Sequence, residues 1–483
     1  MLFQSFGFLF FFSIFFFLYW SVSVNIKLRN ILLLFASLYL YSLWSYVFLS
    51  LLIFIILLNF FSSKYITNTT LKGKLLFYFA LIINLSPLFL FKYFDFFLTN
   101  INDFICIFGF EINFISLKFI LPVGISFYTF LSISYLIDVY RKKIKNEINL
   151  VNYALSISYF PIILSGPIHR PIIFLNQINA RIHFKYELFS DGLRQVLTGL
   201  FLKVVLADNL APYVTRAFTD YSNSSTTTLV LGTIYFSFQL YFDFNGYSEM
   251  AIGISKLLGF PISRNFKNPY LSRTISDFWK SWHISLTQWF RDYVFLPLSY
   301  IISRKVKQGS IFDSDLFIYS AGIIITWTLT GLWHGAGWNY ILWGMIHALL
   351  LILNKAFFKP KKKLFKRIGL KKDSIPVIIY DSTLTFIYVN LAWIFFRSSN
   401  TSEAIFIIKK ICKLENLFAT TINPLPLLFI AIYLFFEYYQ RKKEFLFDIA
   451  NLNIITRWSV YIIATTSILF NAGKEAIFIY FKF

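Results

Sequence analysis

Long apolar runs separated by short polar gaps make up almost the whole chain. The runs lie at about 5–24, 30–61, 75–99, 112–138, 149–168, 190–218, 227–258, 316–333, 338–354, 375–396, 424–440 and 455–472. Many reach the roughly 18 apolar residues that read as a transmembrane helix. With some runs split, tilted or half-inserted, the pattern predicts an all-α polytopic membrane protein with about ten to thirteen transmembrane or re-entrant helices. The first run has no basic segment before it and no small-residue cleavage site, so it reads as a retained span rather than a signal peptide. No linker or internal repeat interrupts the series. The expected organisation is therefore a single membrane domain over 1–483, with N-terminal spans to 115, a core over 116–355 and C-terminal spans over 356–483.

Composition sharpens this picture. Of 483 residues, 57% are hydrophobic, 21% aromatic and only 14% charged, against about 25% charged in a soluble domain. The net charge of +22 would suggest nucleic acid in a soluble protein. Here the excess is concentrated in gaps between runs: RKKIK (141–145), RKVK (304–307), KPKKKLFKRIGLKK (359–372) and RKK (441–443). That is the positive-inside pattern, which also meets anionic lipid favourably, so membrane lipid is an expected partner and nucleic acid is not. Cys106 and Cys412 lie in separate apolar neighbourhoods, form no CxxC, and read as small core hydrophobes.

The basic gaps set a topology. With 304–307 and 359–372 both cytoplasmic, the runs 316–333 and 338–354 must form one hairpin, turning at Gly335-Ala336-Gly337. That turn places His334 away from the cytoplasmic loops. Single cysteines introduced at Lys362 and Ile405 in a cysteine-free background test it. An impermeant thiol reagent outside intact cells should label position 405 and spare 362; strong labelling at 362 overturns the orientation.

Two segments carry candidate chemistry. LTGLWHGAGWNYILWGMIHALLLI (329–352) places Trp333-His334 among Gly331, Gly335 and Gly337 inside apolar sequence. An ionisable side chain in a span is costly and usually faces a cavity or a partner. The spacing of Gly331 and Gly335 also matches a small-xxx-small helix contact, so packing alone can account for the glycines. SDFWKSWHISLTQWFRDYVFLPL (276–298) reads as one interfacial helix capped by Ser276 with Asp277 in its first turn. At 100° per residue Trp279, Trp282, Leu286, Trp289, Phe290 and Tyr293 share one arc, with Lys280, Thr287 and Arg291 beside it and His283 on the boundary. His283 and His334 read either as general acid–base groups or as satisfied core histidines. In YFDFNGYSEM, Tyr241, Asp243 and Tyr247 either line a polar cavity or bond to neighbouring helices. His169 and His183, far from any acidic or thiol cluster, do not make a metal site, and none is expected. HExxH, Walker A, GxGxxG and GxSxG are absent.

The ordered set LPVGISFYTFLSISYLIDVYR (121–141), YFPIILSGPIHRP (159–171), YFDFNGYSEMAIGISKLLGF (241–260), NFKNPYLSRTISDFWKSWHISLTQWFRDYVFLPL (265–298), LTGLWHGAGWNYILWGMIHALLL (329–351), NLAWIFFRS (390–398) and FIYFKF (478–483) resembles the membrane-bound O-acyltransferase family. The likeness is to its bacterial alginate O-acetyltransferase-like branch. It covers about 120 to the C-terminus; the first 110 residues match only in hydropathy. The resemblance implies helices around a central tunnel, His334 as the catalytic histidine and His283 as a second active-site histidine, orienting the reactants or donating to the developing oxyanion. Trp282, Trp333, Tyr241, Asp243, Tyr247 and Ser285 are the expected tunnel-lining residues, and Lys280 and Arg291 the candidates for donor phosphates. Lys280-Ser281 stands where a pair of arginines is common, and His169 where an apolar residue is usual.

No bound cofactor is implied; the co-substrate is an acyl thioester, acetyl-coenzyme A or an acylated carrier. The acceptor is an extracytoplasmic polysaccharide, reached directly or through a periplasmic or secreted acetyltransferase, and the location is a bacterial cytoplasmic membrane. Three other readings stay open: D-alanyl transfer toward teichoic acid from a carrier protein, a proton-coupled transporter or flippase with relay histidines, and a purely structural subunit of an export complex, which leaves the two histidines without a role.

Overall fold

The computed structural model describes residues 3–109, 119–147, 149–307, 309–310, 314–371, 373–414, 416–417, 419, 423–473 and 478–479. Among these it contains helices and loops and no strand. Six helices are long and apolar enough to cross a membrane: Tyr46–Ser63, Leu71–Cys106, Tyr186–Thr219, Asp315–His334, Trp338–Arg367 and Ile375–Arg397. Phe6–Val22, Ile125–Tyr140 and Leu425–Tyr439 are shorter apolar helices. Phe6, Phe10 and Phe17 point outward from the first of these, as expected where hydrocarbon replaces water as the solvent. The chain is a multi-pass membrane protein. The start of the run at 112–138 and the last four residues of FIYFKF lie outside the described residues.

The chain divides into two compact units. One comprises Met1–Val196 with Tyr247–Ser263; the other comprises Leu197–Gly246 with Arg264–Phe483. In the first, where apolar side chains gain little by leaving lipid, buried polar groups tie the helices together. Asn59 and Asn84 exchange amide hydrogen bonds of 2.9 and 2.7 Å between two helices. The guanidinium of Arg29, fully buried, donates to the Ala180 carbonyl at 3.0 Å and to Asn30 at 3.0 and 2.9 Å. The Asn30 amide in turn donates to Asn152 at 2.9 Å.

The second unit is built on the hairpin Asp315–His334 and Trp338–Arg367, which turns at Gly335–Gly337 as the charge pattern required. The two helices cross at Gly331 and Gly344. A Cβ at Gly331 would run into the Tyr340 carbonyl, and one at Gly344 into that of Trp327. Gly331 therefore does serve helix contact, but with a partner helix across the turn, while Gly335 lies beyond the helix end beside the Tyr340 ring. Gly331→Ala should destabilise the protein by about 1–3 kcal/mol, the usual range for overpacking, read as a lower thermal midpoint in detergent. An unchanged midpoint would mean the hairpin is free to spread.

Three expectations are corrected. The basic stretch 359–372 is not a loop: the helix Trp338–Arg367 runs through most of it, 30 residues long. At 1.5 Å per residue that is about 45 Å, longer than the ~30 Å hydrocarbon core, so its basic turns continue past the apolar layer. Cys106 and Cys412 are exposed rather than buried. Cys106 ends a helix with no buried residue, and Cys412 lies off the face of Thr401–Lys413 that buries Glu403, Ala404 and Ile407. Finally, 276–298 is not one helix. It breaks into Ile275–Trp279, Ile284–Phe290, a wider π turn at Arg291–Phe295 and Leu296–Lys305. Its N-cap is Thr274, whose side chain accepts from the Asp277 N–H, and not Ser276.

Candidate active site

The break at 280–283 comes from hydrogen bonds that the loop before it supplies. The Lys267 N–H donates to the Ser281 carbonyl and the Ile284 N–H to the Asn265 carbonyl, both at 2.8 Å. These replace the bonds a continuous helix would make, and the arc that placed Trp279 in register with Trp289 no longer applies. His283 sits at the turn with φ 41° and ψ 53°, in the left-handed region, at a typical backbone cost of about 1–2 kcal/mol.

That turn delivers a fully buried imidazole. Asn265 Oδ1 accepts the Ser285 backbone N–H at 3.2 Å and the Ser285 hydroxyl at 2.8 Å. The atom is thereby identified as the amide oxygen, and His283 Nδ1, 3.2 Å away, must be the donor. A neutral His283 then carries its lone pair on Nε2. The Phe244 ring stands edge-on to it at 4.6 Å.

His334 is the last residue of its helix and 4% exposed. Trp333, Trp343 and Phe396 wall it edge-on, with ring centroids at 4.9, 5.0 and 5.2 Å. The Trp333 indole also meets His283 at 6.2 Å. Two histidines 51 positions apart thus share one aromatic neighbour within one unit.

The remaining predicted residues divide. Trp282 is buried among Tyr241, Phe266, Phe278 and Trp393. Tyr241 donates to Glu437, which also takes the Tyr433 hydroxyl at 3.2 Å. Asp243 forms a buried ion pair with Lys203 at 2.8 Å and accepts the Ile479 N–H at 2.7 Å. Lys203 also pairs with Asp208 at 2.8 Å. Bonding to other segments thus occupies Asp243. Tyr247 belongs to the other unit and stacks on Phe3 at 5.0 Å. Lys280 and Arg291 are exposed and pair with their neighbours Asp277 and Asp292 at 3.5 and 2.9 Å. His169 is buried with Nε2 2.9 Å from the Ser156 carbonyl. His183 is exposed.

Sequence reasoning missed Asn265, which fixes His283, and the Trp343 ring against His334, with His347 and Trp393 packed on that ring. A polar residue inside an apolar run was the available signal for His347; nothing local marks Asn265, which acts only through the turn it meets.

A family model described as MBOAT, membrane-bound O-acyltransferase family, matches residues 139–397, the stretch holding both histidines. Over 383 residues the chain is 35% identical to a probable alginate O-acetylase of Azotobacter vinelandii, covering 78% of this chain and 71% of that protein. It is 33% identical over 405 residues to a peptidoglycan O-acetyltransferase of Helicobacter pylori, covering 78% and 72%. A teichoic acid D-alanyltransferase of Streptococcus thermophilus is 32% identical over 260 residues, covering 52% of this chain and 61% of that one.

Proposed function

The chain belongs to the membrane-bound O-acyltransferase family and is an O-acyltransferase; on that premise we propose that it moves an acetyl group from a cytoplasmic thioester to hydroxyls of an extracytoplasmic polysaccharide. The donor is acetyl-coenzyme A, the acceptor is reached directly or through a partner acetyltransferase, and the protein resides in a bacterial cytoplasmic membrane. His334 takes the proton of the acceptor hydroxyl as that oxygen adds to the thioester carbonyl. The C–S bond then breaks, and the imidazolium returns the proton to the departing sulfur. His283 accepts a hydrogen bond through Nε2 from a second hydroxyl of the acceptor and so orients the attacking one. Donation to an oxyanion, the role the resemblance also allowed, would require its protonated form.

The observation that carries this reading is the meeting of the two imidazoles on the Trp333 indole, one of them held in a defined tautomer by Asn265. Acetyl transfer is preferred to D-alanyl transfer because the O-acetylating relatives match 78% of the chain and the D-alanyltransferase 52%. Deleting the gene should remove ester-bound acetate from the surface glycan, with restoration by the wild-type chain. Loss of D-alanine esters with acetate intact would replace acetyl by D-alanyl, and no change in either ester would overturn the proposal.

A further inference from the structure

The second unit buries a third histidine that the reaction described above does not use. His347 is fully buried on the helix Trp338–Arg367, among the rings of Trp279, Trp327 and Trp343 at centroid distances of 4.9, 5.7 and 4.9 Å. The Trp279 indole N–H lies 3.3 Å from His347 Nδ1. Indole nitrogen only donates, so Nδ1 accepts, and the neutral ring carries its proton on Nε2. Among the described residues no acceptor reaches that Nε2, nor the indole nitrogen of the fully buried Trp343. Buried N–H groups are rarely left without an acceptor, because their lost hydration is then not replaced. Here two occur on adjoining rings, and one of those rings, Trp343, also touches His334 at 5.0 Å.

Acyl transfer at His334 drives negative charge onto the carbonyl oxygen of the thioester, and preorganised donors at that oxygen are a large source of rate. Neutral His283, with its proton on Nδ1, does not supply one through Nε2. We propose that the His347 Nε2–H and the Trp343 Nε1–H hydrogen-bond the acyl carbonyl oxygen of the donor as the hydroxyl adds to it. The Trp279 bond serves to hold the donating tautomer of His347. The proposal rests on the reading of His334 as the base in thioester acyl transfer.

The test uses the full chain in membrane vesicles with the cytoplasmic face outward, radiolabelled acetyl-coenzyme A as probe, and immunoblotting to normalise for inserted protein. His347→Phe should lower kcat by about 10²–10³-fold, the loss typical of one oxyanion donor, with KM for acetyl-coenzyme A changed less than about threefold. Trp343→Phe, which keeps a ring and deletes the N–H, should also lower kcat. His347→Gln offers an acceptor for Trp279 and a donor for substrate, and should recover at least about tenfold of the loss. Phe variants at wild-type level with unchanged kcat, a change confined to KM, or a Gln variant no better than Phe would each overturn the proposal. If His347→Phe does not insert, Trp343→Phe decides, and loss of both from the membrane would make the pair a packing feature and overturn it too. A wild type unable to use acetyl-coenzyme A, or a fully active His334→Ala, would instead defeat the functional reading. A dead His334→Ala beside active Phe variants defeats this inference alone.

Discussion

Replacing His334 by alanine should lower acyl transfer by about 10²–10⁴-fold, the usual contribution of a positioned general base. His334 ends a transmembrane helix at 4% exposure, with three aromatic rings against its imidazole. Without the ring the acceptor hydroxyl loses the base positioned to take its proton. Truncation also removes ring contacts to Trp343 and Phe396, so some stability is lost as well. His334→Gln, closer in volume and equally unable to act as base, separates the two effects: it should insert better than alanine and be as inactive. The measurement is ester-bound acetate on the surface glycan, normalised to inserted protein. Full acetylation by a normally inserted variant would remove His334 from the chemistry.

Lys203→Met should destabilise the protein by about 3–5 kcal/mol, the range found when one partner of a buried ion pair is removed. The ammonium of Lys203 lies 2.8 Å from both Asp208 and Asp243, and all three side chains are almost wholly buried. Methionine matches the stem in length but removes the cation the two carboxylates share. They are then left facing each other in a medium where an uncompensated charge is expensive. Lys203 sits on the π turn Phe201–Ala207, and Asp243 also accepts the Ile479 N–H, so the effect should reach the C-terminal segment. Thermal unfolding in detergent and the yield of inserted protein measure it. Lys203→Arg, which keeps the charge, should fall between the two. A Lys203→Met protein as stable as wild type would mean these carboxylates are neutral or hydrated.

The all-α membrane character, the hairpin turn at 335–337 and the family were legible from apolar run length, charge placement and motif resemblance. These are properties of short windows, and bilayer thickness with backbone hydrogen bonding turns them into structure almost directly. The single amphipathic helix over 276–298 was misread because a periodicity argument assumes the segment supplies its own hydrogen bonds. The Asn265 loop takes over two of them and breaks the helix at His283. Cys106 and Cys412 were misplaced for a related reason: in lipid, an apolar neighbourhood says nothing about which face of a helix is covered.

By itself, then, the sequence determined that this chain lies in a membrane, where its hairpin turns, and which family its motifs resemble, because each is encoded in local pattern. Only the tertiary structure decided which nitrogen of His283 bears the proton, that Asp243 is tied to Lys203, and that the Trp343 ring packs on both His334 and His347. Those outcomes depend on side chains brought together from distant positions, and the direction of a hydrogen bond exists only once both partners are in place.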